Sequence, residues 1–415
     1  MKIHFKTFGC KVNQCETNEM IHKILSAGLS LSDKPETADI IIINSCTVTS
    51  KADRKTNQYL RKCLQLNPTA RIYVTGCCVD RIKSEQKPNK CSEMPETEQV
   101  FGNDRNRTNV RFFNNSEKQN ICSILGISLP FTFYLLPSPF TNHTRAFVKI
   151  QDGCNGRCTY CIVPKVRPKL LSKNPEDIIS EIKNYISAGH KEIVLCGIRL
   201  GKYRYEMDDR RWELTVLIKE LEKIKWLYRI RLSSIELNDI TNDLIEHMAT
   251  SKKLCQHLHI PLQSGDNKIL ADMRRCYTAQ EFFNKLQEIR KKVPDIGITT
   301  DVIIGYPLDT DETLENTYNF VKKCQFSRLH IFKYSKRPGT AASKIDKACL
   351  PVLIKKWAAK MKKLDLQLRH TFLKKFSGKK LQVLTETNGY GYTSNYIHLK
   401  LPKSIPSNEL VYCAQ

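Results

Sequence analysis

Three things are scarce in this 415-residue chain. The first is uninterrupted apolar sequence: no run reaches the roughly 20 residues that a membrane span needs, so no membrane partner is expected. The opening Met1-Lys2-Ile3-His4 enters a strand-like segment at once, without the charged-then-apolar pattern of a secretory leader, so the expected location is cytoplasmic. The second is acid: 42 Asp and Glu face 67 Lys and Arg, for a formal net charge of +25. The imbalance is concentrated in residues 321–415, where 20 basic residues meet 4 acidic ones. A surface of that density is the electrostatic footprint of a nucleic-acid partner. Lysines scattered over a solvated face would give the same count, so charge alone leaves both readings open. The third is a partner for each thiol. The 17 cysteines are odd in number, and the chain is far longer than a disulfide-stapled secreted domain, which points to reduced thiols that hold metal.

What is present centres on Cys154-Asn155-Gly156-Arg157-Cys158-Thr159-Tyr160-Cys161, directly after the apolar run Ala146-Phe147-Val148-Lys149-Ile150. Three thiolates in C-x3-C-x2-C spacing on one loop suit three irons of a 4Fe-4S cubane, since soft sulfur ligands select iron-sulfur clusters. The fourth iron is then free for a non-protein ligand, and the amino and carboxylate groups of S-adenosylmethionine can chelate it. This spacing, with Tyr160 before the last cysteine, is the signature of the radical S-adenosylmethionine superfamily. Zinc is the plainer alternative, but it wants four ligands, and no Cys or His follows within 25 residues.

The first hundred residues alternate strand and helix patterns, as in an open parallel α/β sheet: strands at 3–8, 39–44 and 71–75, and helices at 16–27 and 51–66. Each strand is followed two residues later by a cysteine: Cys10, Cys46 and Cys77. Ligands gather at the carboxyl edge of such a sheet, so three thiols 36 and 31 residues apart would meet there and hold an auxiliary 4Fe-4S cluster. Three ordinary core cysteines are the alternative. The expected domains are an N-terminal domain at 1–110, a linker at 111–144, a core at 145–375, and a small antiparallel β domain at 376–415.

In the core, strands at 147–151, 192–195, 229–233, 256–260, 298–304 and 328–332 suggest a partial (β/α)6 barrel whose active site lies at the strand carboxyl ends. Candidate cofactor-binding residues there are Tyr160, Gly197, Ser234, Glu236, Gln263, Asp301 and Gly305. His257 and His259 lack a further ligand at metal spacing and are expected as core histidines. After a basic helix at 352–375, short strands are expected at 380–385, 393–399 and 410–413, with Asn388-Gly389 as a turn. Lys374, Lys375, Lys379 and Lys380, with Tyr392 as a stacking residue, are the RNA-binding candidates.

The chain resembles, over almost its whole length, the methylthiotransferases of the radical S-adenosylmethionine superfamily. The resemblance rests on Thr7-Phe8-Gly9-Cys10, Asn44-Ser45-Cys46-Thr47, Thr75-Gly76-Cys77, and Gln151-Asp152-Gly153-Cys154 with the thiol loop. Leu232-Ser233-Ser234-Ile235-Glu236, His257 through Gly265, and Tyr334-Ser335-Lys336-Arg337-Pro338-Gly339-Thr340 are most similar to the branch acting on N6-threonylcarbamoyladenosine in tRNA. The tail resembles the RNA-binding TRAM domain. The resemblance implies two 4Fe-4S clusters, two S-adenosylmethionine molecules per turnover, an electron donor such as flavodoxin or ferredoxin, and an unspecified sulfur donor. It further implies that a 5'-deoxyadenosyl radical attacks carbon 2 of the adenine next to the anticodon, while sulfur is carried at the N-terminal thiols. Alternatives are methylthiolation of N6-isopentenyladenosine or of a ribosomal-protein aspartate, or a non-catalytic RNA-binding iron-sulfur protein. Pro168 after Arg167, Cys15, Cys78, Leu237 and Leu308 depart from the family pattern.

Overall fold

A computed structural model of the chain describes residues 1–85, 109–126, 144–387 and 389–414. Ile40-Ile41-Ile42-Ile43 are all fully buried, and a strand apolar on both faces belongs at the centre of a covered parallel sheet. β3 (Ile40–Ser45) takes that place. With β1 (Lys2–Thr7), β2 (Ser30–Leu31), β4 (Arg71–Gly76) and β5 (Val110–Phe112) it forms a sheet of order β2-β1-β3-β4-β5, every pair parallel. Side chains alternate across a strand, so Ile40 and Ile42 pack with Met20 and Ile24 of α1 (Lys11–Ser26). Ile41 and Ile43 pack with Leu60 and Cys63 of α2 (Ser50–Leu66) on the other face. Thr49 caps α2 by accepting from the Ala52 amide at 3.2 Å.

The stretch at 111–144, expected as linker, begins differently. Its first part completes the sheet through β5, and Phe113, Ile121, Cys122 and Leu125 fill the α1 face. In the sequence, the polar run Asn114-Asn115-Ser116-Glu117-Lys118 interrupts the apolar residues that make this packing. Residues 127–143 of the stretch lie outside the described residues.

The second layer has six parallel strands in the expected order: β6 (Arg145–Asp152), β8 (Glu192–Gly197), β11 (Arg229–Leu232), β12 (His257–His259), β13 (Gly297–Ile304) and β14 (Arg328–Lys333). A short antiparallel β7 (Leu171–Ser172) lies on the outer edge of β6. β11 and β12 are joined through single bridges, Ile230 to Leu254 and Ser234 to His259, so the half-barrel is loosest at its middle. A hairpin absent from the sequence reading, β9 (Arg204–Met207) and β10 (Arg210–Glu213), turns on Asp208 and Asp209, both at positive φ. Two aspartates reach that conformation without the glycine that usually signals it.

Pro351–Lys374 is one long helix, lying along β14. Trp357, Met361, Leu364, Leu368 and Phe372 face inward at helical spacing, while Leu366 is 65 % exposed. The tail forms β15 (Lys380–Glu386), β16 (Tyr390–Thr393), β17 (His398–Lys400) and β18 (Leu410–Ala414) in antiparallel order β17-β16-β15-β18. The expected strand at 393–399 is therefore two strands; the chain turns at Tyr396, which takes a φ of 68°. Asn388 of the expected turn lies outside the described residues.

This small sheet docks on the amino ends of the barrel strands. Arg229 donates to the Tyr392 and Gln382 carbonyls at 2.9 and 2.8 Å, and Arg231 to those of Ser394 and Thr393 at 2.9 and 3.0 Å. The fully buried Glu192 holds Arg231 from below at 2.6 Å. No described helix is long and apolar enough to cross a membrane.

Candidate active site

The thiol loop starts where β6 ends. Gly153 sits at φ +80°, and a Cβ there would meet the Lys169 carbonyl oxygen at 1.7 Å, so only glycine lets the chain turn so close to its own return strand. The Cys154 amide then donates to the Arg167 carbonyl at 2.9 Å, and the Cys161 amide to the Cys158 carbonyl at 3.2 Å, which fixes the loop at both ends. Thr159 is tied to the barrel by its amide on the Met273 carbonyl at 3.2 Å. The Tyr160 ring packs against the group of Ile269, Met273 and Tyr306.

The three sulfurs face donors that favour the thiolate. Cys154 Sγ accepts from the Gly156 amide at 3.3 Å and Cys158 Sγ from Arg275 at 3.4 Å. Burial pushes the Cys161 thiol up to about 12, while the Val163 amide works in the other direction. Cys158 and Cys154 raise it further, as neighbouring thiolates do until a metal neutralises them.

The second set comes from three strand ends. Cys10 follows β1, Cys46 follows β3 and Cys77 opens α3 (Cys77–Glu85) after β4. They are mutual electrostatic neighbours: Cys77 and Cys10 both raise the Cys46 thiol, which burial has already pushed up to about 12. Gly9, at φ +112°, lies so close to Cys46 that a Cβ would stand 2.7 Å from its Cβ. Each sulfur again receives an N–H: Cys10 from the Asn13 backbone, Cys46 from that of Val48, and Cys77 from Arg167 Nε at 3.3 Å. Six thiols in two groups, each sulfur met by a donor, fit what iron-sulfur ligation requires. Among the described residues no three His, Cys, Asp or Glu side chains converge as on a single metal ion. Cys15 packs with Val12, Phe147, Val194 and Cys196, and the fully buried Cys78 packs in the α2 core, so both departures from the family pattern are apolar packing residues here.

One residue joins the two groups. Arg167, 5 % exposed, carries Cys77 on Nε, Asp152 and Glu16 on Nη1 at 2.7–2.8 Å, and Glu16 and Asn13 on Nη2 at 3.0 and 3.4 Å. Lys118 at 2.5 Å and Lys149 at 3.1 Å complete the shell around Glu16. Burial opposes the charge on Glu16, but Lys118, Lys149 and Arg167 outweigh it and hold the carboxyl well below its usual range. A second clamp is Arg337, whose Nη2 donates to Thr47 at 2.6 Å and Asp53 at 2.5 Å across the same junction. Sequence reading missed Glu16, Asp152 and Lys118 as partners, because their common point exists only once α1 of the N-terminal domain packs on β6 and β8.

The other candidates sit as follows. Glu236, after β11, pairs with Arg275, the arginine that also reaches Cys158. Arg199 does the same beside Cys154, bonding Asn155 Oδ1 at 3.3 Å and Asp239 at 3.0 Å. Neither arginine was singled out in the sequence: Arg199 follows β8 by two residues, whereas Arg275 comes after the short helix Asn267–Asp272 and reaches the site only through the fold. Ser234 is exposed at the end of β11. Gln263, buried, holds a φ of +74° and is bonded on both sides to β13. Asp301 lies in the middle of β13 rather than at its end and meets His259 Nε2 at 3.1 Å. A Cβ at Gly197 would stand 3.0 Å from Gln151 Oε1 and Leu200 Cα, so its small size serves the chain's own turn. A Cβ at Gly305 would likewise meet Ile354 Cδ1 at 2.7 Å. His257 is buried, as expected of a core residue, and shares Thr299 with His259.

Lys374, Lys375, Lys379 and Lys380 are all exposed. The Tyr392 ring is already engaged: it stacks on Tyr396 at 4.7 Å, meets His398 at 4.7 Å and lies under Arg145 at 4.7 Å. It belongs to the docking of the tail on the barrel.

Residues 2–102 match Uncharacterized protein family UPF0004, and residues 148–321 match the Radical SAM superfamily. The chain is 36 % identical to the threonylcarbamoyladenosine tRNA methylthiotransferase MtaB of Bacillus subtilis, over 95 % of this chain and 89 % of that protein. It is 33 % identical to the MtaB of Aquifex aeolicus, over 96 % of each. To the tRNA-2-methylthio-N(6)-dimethylallyladenosine synthase of Thermodesulfovibrio yellowstonii it is 32 % identical, over 99 % and 94 %. Among solved structures, the cobalamin- and [4Fe-4S]-bound radical S-adenosylmethionine methyltransferase TsrM of Kitasatospora setae shares the fold, at a TM-score of 0.56 and 10 % identity over 98 % of this chain and 83 % of that one. With its two thiol groups, its half-barrel and these relatives, the chain belongs to the radical S-adenosylmethionine tRNA methylthiotransferases, transferases whose cofactors are 4Fe-4S clusters and S-adenosylmethionine.

Proposed function

We propose that this enzyme places a methylthio group on carbon 2 of N6-threonylcarbamoyladenosine next to the anticodon of tRNA. The observation that carries the reading is the pair of three-thiol sets, each one ligand short of a filled cubane and joined through Arg167. When bound, the cofactors supply a 5'-deoxyadenosyl radical at Cys154, Cys158 and Cys161 and a sulfur carrier at Cys10, Cys46 and Cys77. An unactivated aromatic C–H needs the radical, and the incoming sulfur needs the carrier, so the two sites must face one substrate base. The protein's part is electrostatic: Arg275 and Arg199 stand beside the first set with cationic charge for a carboxylate or an anionic cluster, and Arg167 does so for the second. Tyr160, Ser234, Glu236, Gln263 and Asp301 are assigned to S-adenosylmethionine, and the exposed lysines Lys374, Lys375, Lys379 and Lys380 to tRNA.

The choice of threonylcarbamoyl over dimethylallyl adenosine is supported by the names of the MtaB relatives at 33–36 % identity and by the motifs at 232–236 and 334–340. A cytoplasmic site, with flavodoxin or ferredoxin as electron donor, accompanies the reading.

The test is anaerobic reconstitution of wild type, a Cys154/Cys158/Cys161→Ala variant and a Cys10/Cys46/Cys77→Ala variant. Iron, 5'-deoxyadenosine and modified nucleoside are measured with tRNA carrying either adenosine. Each variant should lose about half the iron, as two equal clusters require. Only the first should abolish cleavage, and neither should make product. Wild-type product on the dimethylallyl substrate alone would reverse the assignment of the base. Full iron in the second variant would remove the sulfur-carrying role.

A further inference from the structure

The basic tail leaves a geometric gap. It docks on the amino ends of the barrel strands, whereas both thiol groups lie at the carboxyl ends, and an eight-residue strand such as β13 separates those edges by about 26 Å. An RNA held by the tail needs a second hold on the thiol side to bring its base to rest.

A cavity of about 770 Å³ opens on the N-terminal domain between α2 and the end of β1. Five cations line it, Lys6, Arg54, Lys55, Arg61 and Lys62, and no acid does. Helical spacing places Arg54, Gln58, Arg61 and Gln65 on one stripe, with Lys55 and Lys62 beside it, over a length of about 16 Å. Lys6, Arg54, Lys55, Arg61 and Lys62 are all exposed, and none has an acidic partner among the described residues. The single acid of α2, Asp53, is turned the other way, against Arg337 and Arg81. Five like charges kept together without counter-ions cost stability, and that cost is recovered when a polyanion arrives. The floor is aromatic. Tyr59 is fixed by His4 at 2.8 Å and meets Phe8 edge-on at 5.9 Å, and Lys6 lies over its ring at 5.5 Å. Phe8 stands two residues before Cys10, and α2 begins four residues after Cys46, so both walls of the groove lead along the chain toward the N-terminal thiols.

We infer that this groove binds the phosphodiester backbone of the tRNA anticodon arm and so sets the target base beside Cys10, Cys46 and Cys77. The inference rests on the proposed function. Amide side chains and an aromatic floor among cations suit a ribose-phosphate strand, where charge holds the backbone and a ring accepts a base or sugar face.

The test is fluorescence anisotropy of a labelled tRNA anticodon stem-loop on the full chain, for wild type, for Lys55→Gln/Arg61→Gln/Lys62→Gln, and for the four tail lysines 374, 375, 379 and 380 changed to Gln. Bound iron and melting temperature report folding. The α2 variant should bind about ten- to a hundredfold more weakly at about 0.15 M salt, with the slope of log K against log salt reduced by about 2. In the wild type, the stem-loop should protect Lys55 and Lys62 from acetylation, a readout that needs no variant. Wild-type affinity and slope in the α2 variant, with the loss confined to the tail variant, overturn the groove and leave the tRNA reading standing. Wild-type protein that prefers the stem-loop no more than an unrelated hairpin overturns both. Equal loss of binding to a polyglutamate peptide in the α2 variant, with stem-loop binding intact, assigns the groove to an acidic protein and overturns the inference.

Discussion

The two thiol groups differ in how they are built. The barrel group is local: eight residues from Cys154 to Cys161 on one loop, whose spacing is set by the covalent chain and two backbone hydrogen bonds. The N-terminal group is tertiary: 67 residues separate Cys10 from Cys77, and they meet because β1, β3 and β4 run parallel and end at one edge. A local site survives loosening of its domain; a tertiary one dissolves with its sheet. Arg167 works against that independence. It belongs to the barrel but spends most of its hydrogen bonds on Glu16, Asn13 and Cys77 of the other domain.

The largest expected effect is therefore Arg167→Gln. It leaves Glu16 and Asp152 short of their shared cation, and breaking a buried pair by removing one partner costs about 3–5 kcal/mol. Urea midpoints should fall, and iron should be lost from both groups, which erases the difference between them. Arg167→Lys should restore little, since an ammonium cannot span two carboxylates and a thiol in a planar fork. Iron lost from one group only would mean that the bridge is packing alone.

The next pair sharpens the comparison. Gly153→Ala drives a Cβ into the Lys169 carbonyl at a positive φ, while Gly9→Ala presses on Cys46. An unstrained glycine-to-alanine exchange stabilises by up to about 1 kcal/mol, whereas each of these should destabilise by more than that. Each should also remove about half the iron, the first with 5'-deoxyadenosine formation and the second without it. Loss of both halves in Gly153→Ala would show that the barrel loop is also tertiary.

Much of this was legible because the signals were short-range. C-x3-C-x2-C, the isoleucine run and the strand-then-cysteine pattern need only the neighbouring residues, and all six barrel strands fall where the alternation put them. What was illegible depends on meeting at a distance. Lys118 looks like one more surface lysine in a polar cluster, yet it is buried on Glu16, 102 positions away. Tyr392 looks like a stacking residue beside lysines, yet its face is covered by Tyr396 and Arg145. The cations of α2 were counted only as charge, because nothing in a helix pattern says which face stays open.

The smallest effect separates the regions by pH. Near the barrel thiols, Asp309 accepts the Gly305 and Tyr306 amides at 2.8 and 2.9 Å, and Tyr306 in turn bonds Thr159 of the thiol loop at 3.0 Å. Burial pushes this carboxyl up to about 7, although the two amides work the other way and Asp266 adds to the rise. An acid that holds its proton more tightly when folded contributes stability below its unfolded value near 4, and that contribution is lost as pH rises through about 7. Glu16 has the opposite sign: its lowered value gives stability that is present above about 4.5 and is lost as pH falls below it. The barrel wall should thus weaken toward alkaline pH and the domain junction toward acid. Asp309→Asn keeps an acceptor for both amides without the charge, so it should gain about 1–3 kcal/mol over wild type near pH 8 and nothing near pH 4. Denaturant midpoints of the two proteins across that range check it. Parallel curves would mean that Asp309 is already ionised at neutral pH and that only the Glu16 junction senses protons.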